Sequence, residues 1–90
     1  MNYGEMKLAK FITNVLVDIT KKTDVQTTVE FNEIFLDVTS TYEYDEYENE
    51  LNAITEKLSQ MGFKSTHISQ QTNTYKNKTF NTSILSLEVI

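Results

Sequence analysis

The hydrophobic period of this chain switches three times, and that alternation limits its folds more than any other feature. Leu8, Phe11, Ile12, Val15, Leu16 and Ile19 recur at helical spacing, which predicts an amphipathic helix over 5–22 with Lys21 and Lys22 in its last turn. From Val25 the period becomes two. Val25, Thr27, Val29 and Phe31 form one alternating run and Ile34, Leu36 and Val38 a second, around Asn32-Glu33. This reads as a β-hairpin.

Tyr44, Tyr47, Leu51, Ile54, Leu58 and Met61 then restore a helical stripe, which Gly62 stops. Ser40 through Glu43 fits a capping box at its start. The remainder is read as two strands, 64–75 and 79–90, turning at Lys76-Asn77-Lys78. In the last one Leu85, Leu87 and Val89 alternate with Ile84, Ser86 and Glu88, so both faces are partly apolar, as in a central strand or a subunit contact. The expected fold is α+β, in the order α-β-β-α-β-β: an antiparallel four-stranded sheet with two helices packed on one face. It amounts to two αββ units of similar length within one domain, residues 1–90.

Composition narrows the function classes. The chain has no Cys, which excludes disulfides and thiolate metal sites. The segment 1–22 has no uninterrupted apolar centre, because Lys7, Lys10, Asn14 and Asp18 break it. Neither a signal peptide nor a membrane span is expected, and a cytoplasmic location follows as the default. Arg, the side chain best suited to bidentate phosphate and guanine contacts, does not occur. With a net charge of −5, direct nucleic-acid binding is not expected.

The acids are unevenly placed. Between Thr23 and Glu56 stand Asp24, Glu30, Glu33, Asp37, Glu43, Asp45, Glu46, Glu48, Glu50 and Glu56, while all eight lysines lie outside that window. On a helix, Glu43, Glu46 and Glu50 of the stretch YEYDEYENE fall on one side, with Asp45 and Glu48 on its flanks. Like charges at such spacing repel by a few tenths of a kcal/mol per pair. A solvated face that keeps a small protein soluble accounts for such a run as well as a recognition surface does. On the second reading Glu43, Asp45, Glu46, Glu48 and Glu50 contact a basic partner, and Glu30, Glu33 and Asp37 extend the surface if hairpin and helix share an edge.

Other constellations are weaker. YEYDEYENE has no Gly to shape a calcium loop. A chain of 90 residues offers little wall for a cleft in which paired carboxylates cleave sugars. His67 stands alone, and Lys76 and Lys78 read as a solvated turn. No catalytic, cofactor-binding or metal-binding residue is assigned, and no enzyme activity or cofactor is expected.

In size, acid block and the stretch YEYDEYENE, the chain resembles small acidic phage proteins of host takeover, among them DNA mimics that inhibit bacterial HU-like nucleoid proteins. That resemblance implies a homodimer in the host bacterial cytoplasm, whose carboxylates occupy the DNA-binding surface of a basic host protein. The stretch LDVTSTYEYDEYENELNAITEKLSQMGFK with the closing SILSLEV also looks like phage tail-completion or tail-terminator proteins, which implies a virion structural role in a ring.

Overall fold

The computed structural model describes residues 1–41 and 44–90, the Tyr44 side chain excepted. The elements run α1 (Tyr3–Val17), β1 (Thr23–Glu30), β2 (Glu33–Ser40), α2 (Tyr44–Gln60), β3 (Phe63–Tyr75) and β4 (Lys78–Val89). The α+β order α-β-β-α-β-β is as the periodicity predicts. The four strands form one antiparallel sheet in the order β1-β2-β4-β3. β4 is central, as its two-sided apolar pattern suggests.

The sheet order expresses the two αββ units. Each unit folds as a helix lying against its own first strand, α1 on β1 and α2 on β3. The second strands, β2 and β4, then pair in the middle, from Ile34 opposite Leu87 to Ser40 opposite Asn81. Both hairpins close on two residues of positive φ: Phe31 (53°) with Asn32 (62°), and Lys76 (49°) with Asn77 (64°). Two successive left-handed residues give the type I′ geometry that matches strand twist. The first turn is therefore Phe31-Asn32, one residue earlier than the expected Asn32-Glu33, and Glu33 begins β2. Asn-Gly is the usual I′ pair, so a bulky Phe at the first position carries no local signal for this turn.

The core is continuous. Ala9, Ile12 and Leu16 of α1, Tyr47, Leu51, Ile54 and Leu58 of α2, and Val29, Ile34, Leu36, Val38, Leu85 and Leu87 of the sheet form one buried cluster. Fully burying each large aliphatic side chain contributes about 1.5–3 kcal/mol. Thr13 of α1 and Thr27 of β1 join hydroxyls across the helix–sheet boundary at 2.8 Å. Tyr47 is fully buried. Its hydroxyl reaches the Val38 carbonyl at 3.3 Å and donates to the Ser83 hydroxyl, which ties α2 to both central strands. Burial pushes the Tyr47 phenol above its ordinary value, and the Ser83 bond opposes that shift.

The helix ends differ from the sequence expectation. α1 begins with a capping box that the pattern gave no reason to seek: Asn2 Oδ1 accepts the Glu5 N–H at 2.8 Å, and Glu5 Oε1 accepts the Asn2 N–H at 2.9 Å. It stops at Val17, not Lys22, because the Leu16 carbonyl is taken by the Ile19 N–H at 3.1 Å and the Thr20 hydroxyl at 3.2 Å. Lys21 and Lys22 thus lie in the loop to β1 and not in a last turn. Phe11 shares the helical spacing of the core stripe yet is 59% exposed, and Ala9 takes the buried position. At the far end of α2, Gly62 adopts φ 93°, the left-handed stop that its place after the stripe predicts. Ser40 is the buried last residue of β2, so it belongs to the sheet, and the Glu43 half of the predicted capping box lies outside the described residues.

Two features of the second hairpin bear on function. β2 stops at Ser40 opposite Asn81, so the turn-proximal part of β3–β4, residues 73–80, extends past the sheet as a two-stranded arm. β3 also carries a bulge between His67 and Ser69. The molecule is accordingly elongated, 40 × 24 × 22 Å.

Candidate functional site: the acidic surface

The acids are placed by two different periodicities. In β1 and β2 the buried positions are Thr23, Thr27 and Val29, and Ile34, Leu36, Val38 and Ser40. Side chains alternate across a strand. Asp24, Glu30, Glu33 and Asp37 occupy the intervening positions, on the side of the sheet turned away from the core cluster. Glu30 stands directly opposite Glu33 in the ladder, and Asp37 lies between Gln26 and Ile84. The amino group of Met1 approaches Glu30 at 4.0 Å.

The α2 acids stand in the other layer. Tyr47, Leu51, Ile54 and Leu58 turn into the cluster, so Asp45, Glu46, Glu48 and Glu56 are left on the exposed faces of the helix. Among the described residues none of these four has an ion-pair partner. Asp45 and Glu46 lie in the first turn, where the helix dipole favours negative charge. Lys57 lies in the last turn, where the dipole favours the opposite sign.

Glu50 differs from its neighbours. Its Oε1 accepts the Lys21 backbone N–H at 3.0 Å and the Thr23 hydroxyl at 3.1 Å, and its Oε2 lies 3.4 Å from the same N–H. This carboxylate fastens α2 to the α1–β1 loop. Beside it Ile19, Lys21, Glu46, Asn49, Glu50 and Ala53 line an open depression of about 360 Å³.

The eight residues read as one candidate surface therefore separate. Asp45, Glu46 and Glu48 are all exposed on the first half of α2, Asp45 and Glu48 one turn apart and Glu46 on the side toward Lys21. Glu50 is spent on a structural tie. Glu30, Glu33 and Asp37 lie across the sheet from the helix and do not extend its surface, because alternation puts them opposite the core-facing side chains. Glu43 lies outside the described residues.

Among the described residues no cluster of three or more His, Asp or Glu is arranged to hold a metal ion, and no helix is long and apolar enough to cross a membrane. His67 is exposed on β3, and Lys76 sits at the arm tip with its Nζ 5.4 Å from the Tyr75 ring centre. Phe31, 91% exposed at the β1–β2 turn, is a surface feature that strand patterning hid by counting it as a core position. Comparison with family models, with characterised proteins and with solved structures finds no match to this chain.

Proposed function

We propose that this protein is a non-enzymatic binding protein whose α2 carboxylates occupy the DNA-binding surface of a basic host protein of the HU-like nucleoid type. One observation carries the reading: Asp45, Glu46 and Glu48 stand exposed at the start of α2, without ion-pair partners among the described residues. Asp45 and Glu48 are one helical turn apart, a spacing of about 5–6 Å that is a coarse counterpart of the phosphate charges along duplex DNA. Lysines and arginines that grip phosphates would accept these carboxylates, with fast association and strong salt dependence. The site is narrower than the sequence suggests and consists of the helix alone. It acts in the host cytoplasm if the chain is phage-encoded.

The test is competition. A purified HU-type protein is bound to fluorescent duplex DNA, and this protein is titrated in. Release of the DNA at low salt, its loss at high salt, and its weakening by Glu46→Lys or Glu48→Lys are the expected results. Failure to displace DNA at low salt ends the reading for this class of partner.

A second reading is favoured by a different observation. The arm of residues 73–80 reaches beyond the sheet, and projecting hairpins suit contacts between ring subunits. On that reading the protein is a virion component of the tail-completion or tail-terminator type. It then forms closed rings in solution and leaves the DNA complex untouched.

A further inference from the structure

The two edges of the sheet are treated differently. β1 is guarded. The Met1 sulfur accepts the Val29 N–H at 3.3 Å, and Asp24 and Glu30 add charge along the strand. These are the usual ways of protecting an edge from a second chain.

β3 has little such protection. It is 13 residues long, has no Pro, and carries Lys64 as its only permanently charged side chain. From Ser69 to Tyr75 it reads SQQTNTY, an uncharged run paired to β4 without interruption after the bulge. Tyr75 and Lys78 flank a two-residue turn, so they form a hydrogen-bonded pair, and the backbone groups of β3 point alternately toward and away from β4. The N–H and C=O groups of Gln70, Thr72 and Thr74 consequently face outward, with no strand beyond them in the sheet.

We infer that this edge is a homodimer seam, in which residues 69–75 of β3 pair antiparallel with the same residues of a second copy about a twofold axis near Thr72. An edge strand is self-complementary in this orientation, because its outward donors and acceptors alternate in the same way in both copies. Gln70 then faces Thr74 of the second copy, and about six ladder hydrogen bonds form. Thr72 meets Thr72 and Gln71 meets Asn73 across the seam, and no two lysines are set opposite each other. The second copy also resolves the odd standing of the arm. A lone two-stranded ribbon is marginal in water. In this register residues 73–75 of each arm lie against residues 71–69 of the second copy, where that copy's sheet has all four strands.

A twofold axis through antiparallel strands runs perpendicular to the sheet, so both copies keep their helices on the same side. α2 lies against β3. The two acidic helices then flank the seam on one side of the joined sheet, each carrying Asp45, Glu46 and Glu48. The seam itself does not depend on what α2 binds.

Sedimentation of the purified chain tests it, with two variants that spare the β3–β4 ladder. Thr74→Pro deletes an outward N–H, and Gln70→Lys adds like charge on both sides of the axis. The expected result is a dimer whose dissociation constant rises at least tenfold in each variant, with circular dichroism unchanged. A third variant requires no loss of association. The chain has no Cys, so Thr72→Cys supplies a single thiol, which should form a covalent dimer on oxidation, whereas Gln26→Cys on β1 should not. A wild type monomeric through the micromolar range, a dimer indifferent to both edge variants, or no cross-link at Thr72 overturns the inference. Open chains or rings overturn it too, in favour of β3 pairing with the β1 edge of the next copy.

Discussion

The Glu50 carboxylate holds the Lys21 backbone N–H at 3.0 Å, which makes one member of the acid run a fastening between α2 and the loop that enters β1. Among the described residues its neighbours Glu46 and Glu48 make no such bond. Adjacent acids on one helix should therefore separate cleanly by mutation. Glu50→Ala is expected to destabilise the fold by about 1–2 kcal/mol, the range for a charge-assisted hydrogen bond that is partly solvated. Glu46→Ala and Glu48→Ala should stay within about 0.5 kcal/mol of wild type. Urea unfolding followed by circular dichroism reads the difference, and equal effects at the three positions would remove the distinction.

Asn2→Ala should cost about 1 kcal/mol, because it leaves the Glu5 N–H uncapped and frees the Glu5 side chain from the reciprocal bond. Asn2→Ser should recover most of that loss. The same unfolding midpoints serve, and a neutral Asn2→Ala would mean the α1 start is held by packing alone.

Tyr47 predicts an alkaline limit to stability. Burial raises the phenol above its unfolded value, so the native state holds a proton that the unfolded chain releases. The contribution is fully present below about pH 10 and declines as pH rises from there through the folded value. Tyr47→Phe should lower stability at neutral pH by about 1 kcal/mol, since the Val38 carbonyl and Ser83 hydroxyl lose a partner. It should also flatten the decline above pH 10. A variant that unfolds along the same alkaline curve as wild type would place the sensitivity elsewhere.

The β1–β2 turn invites improvement. Phe31 and Asn32 both hold positive φ, which costs an ordinary L-residue about 1–2 kcal/mol. Replacing the pair with Asn-Gly suits the type I′ turn and should raise stability by about 1 kcal/mol, less the chain entropy that Gly adds to the unfolded state. A rise in thermal midpoint checks this. A fall would show that the exposed Phe31 ring makes contacts that outweigh its strained backbone.

What was legible in the sequence followed from period and what was lost followed from termini and faces. The α2 stripe from Tyr47 to Leu58 and the Ile34-Leu36-Val38 run are the core of the molecule, because each repeats the spacing of its own element. Phe11 was misread because a side chain at helical spacing still lies on the stripe's margin, where the small Ala9 packs closer to the sheet. The end of α1 depended on the Ile19 N–H and the Thr20 hydroxyl taking the Leu16 carbonyl, bonds that no period announces. The acid block was visible as composition. Its division was not, since only the pleat decides that Glu30 and Asp37 leave the sheet on the side away from α2.

The bulge at Ile68 has a consequence for how this chain can change over time. One extra residue there resets which side of β3 each later position faces, so that Thr72, and not Gln71, meets buried Asn81 through a 2.8 Å bond. Upstream positions answer to the packed interior. Downstream ones answer only to their own hairpin and to whatever lies alongside it. Selection can rewrite the distal half of the strand without disturbing the proximal half, whereas drawing Ile68 into the regular ladder would turn the whole distal segment inside out.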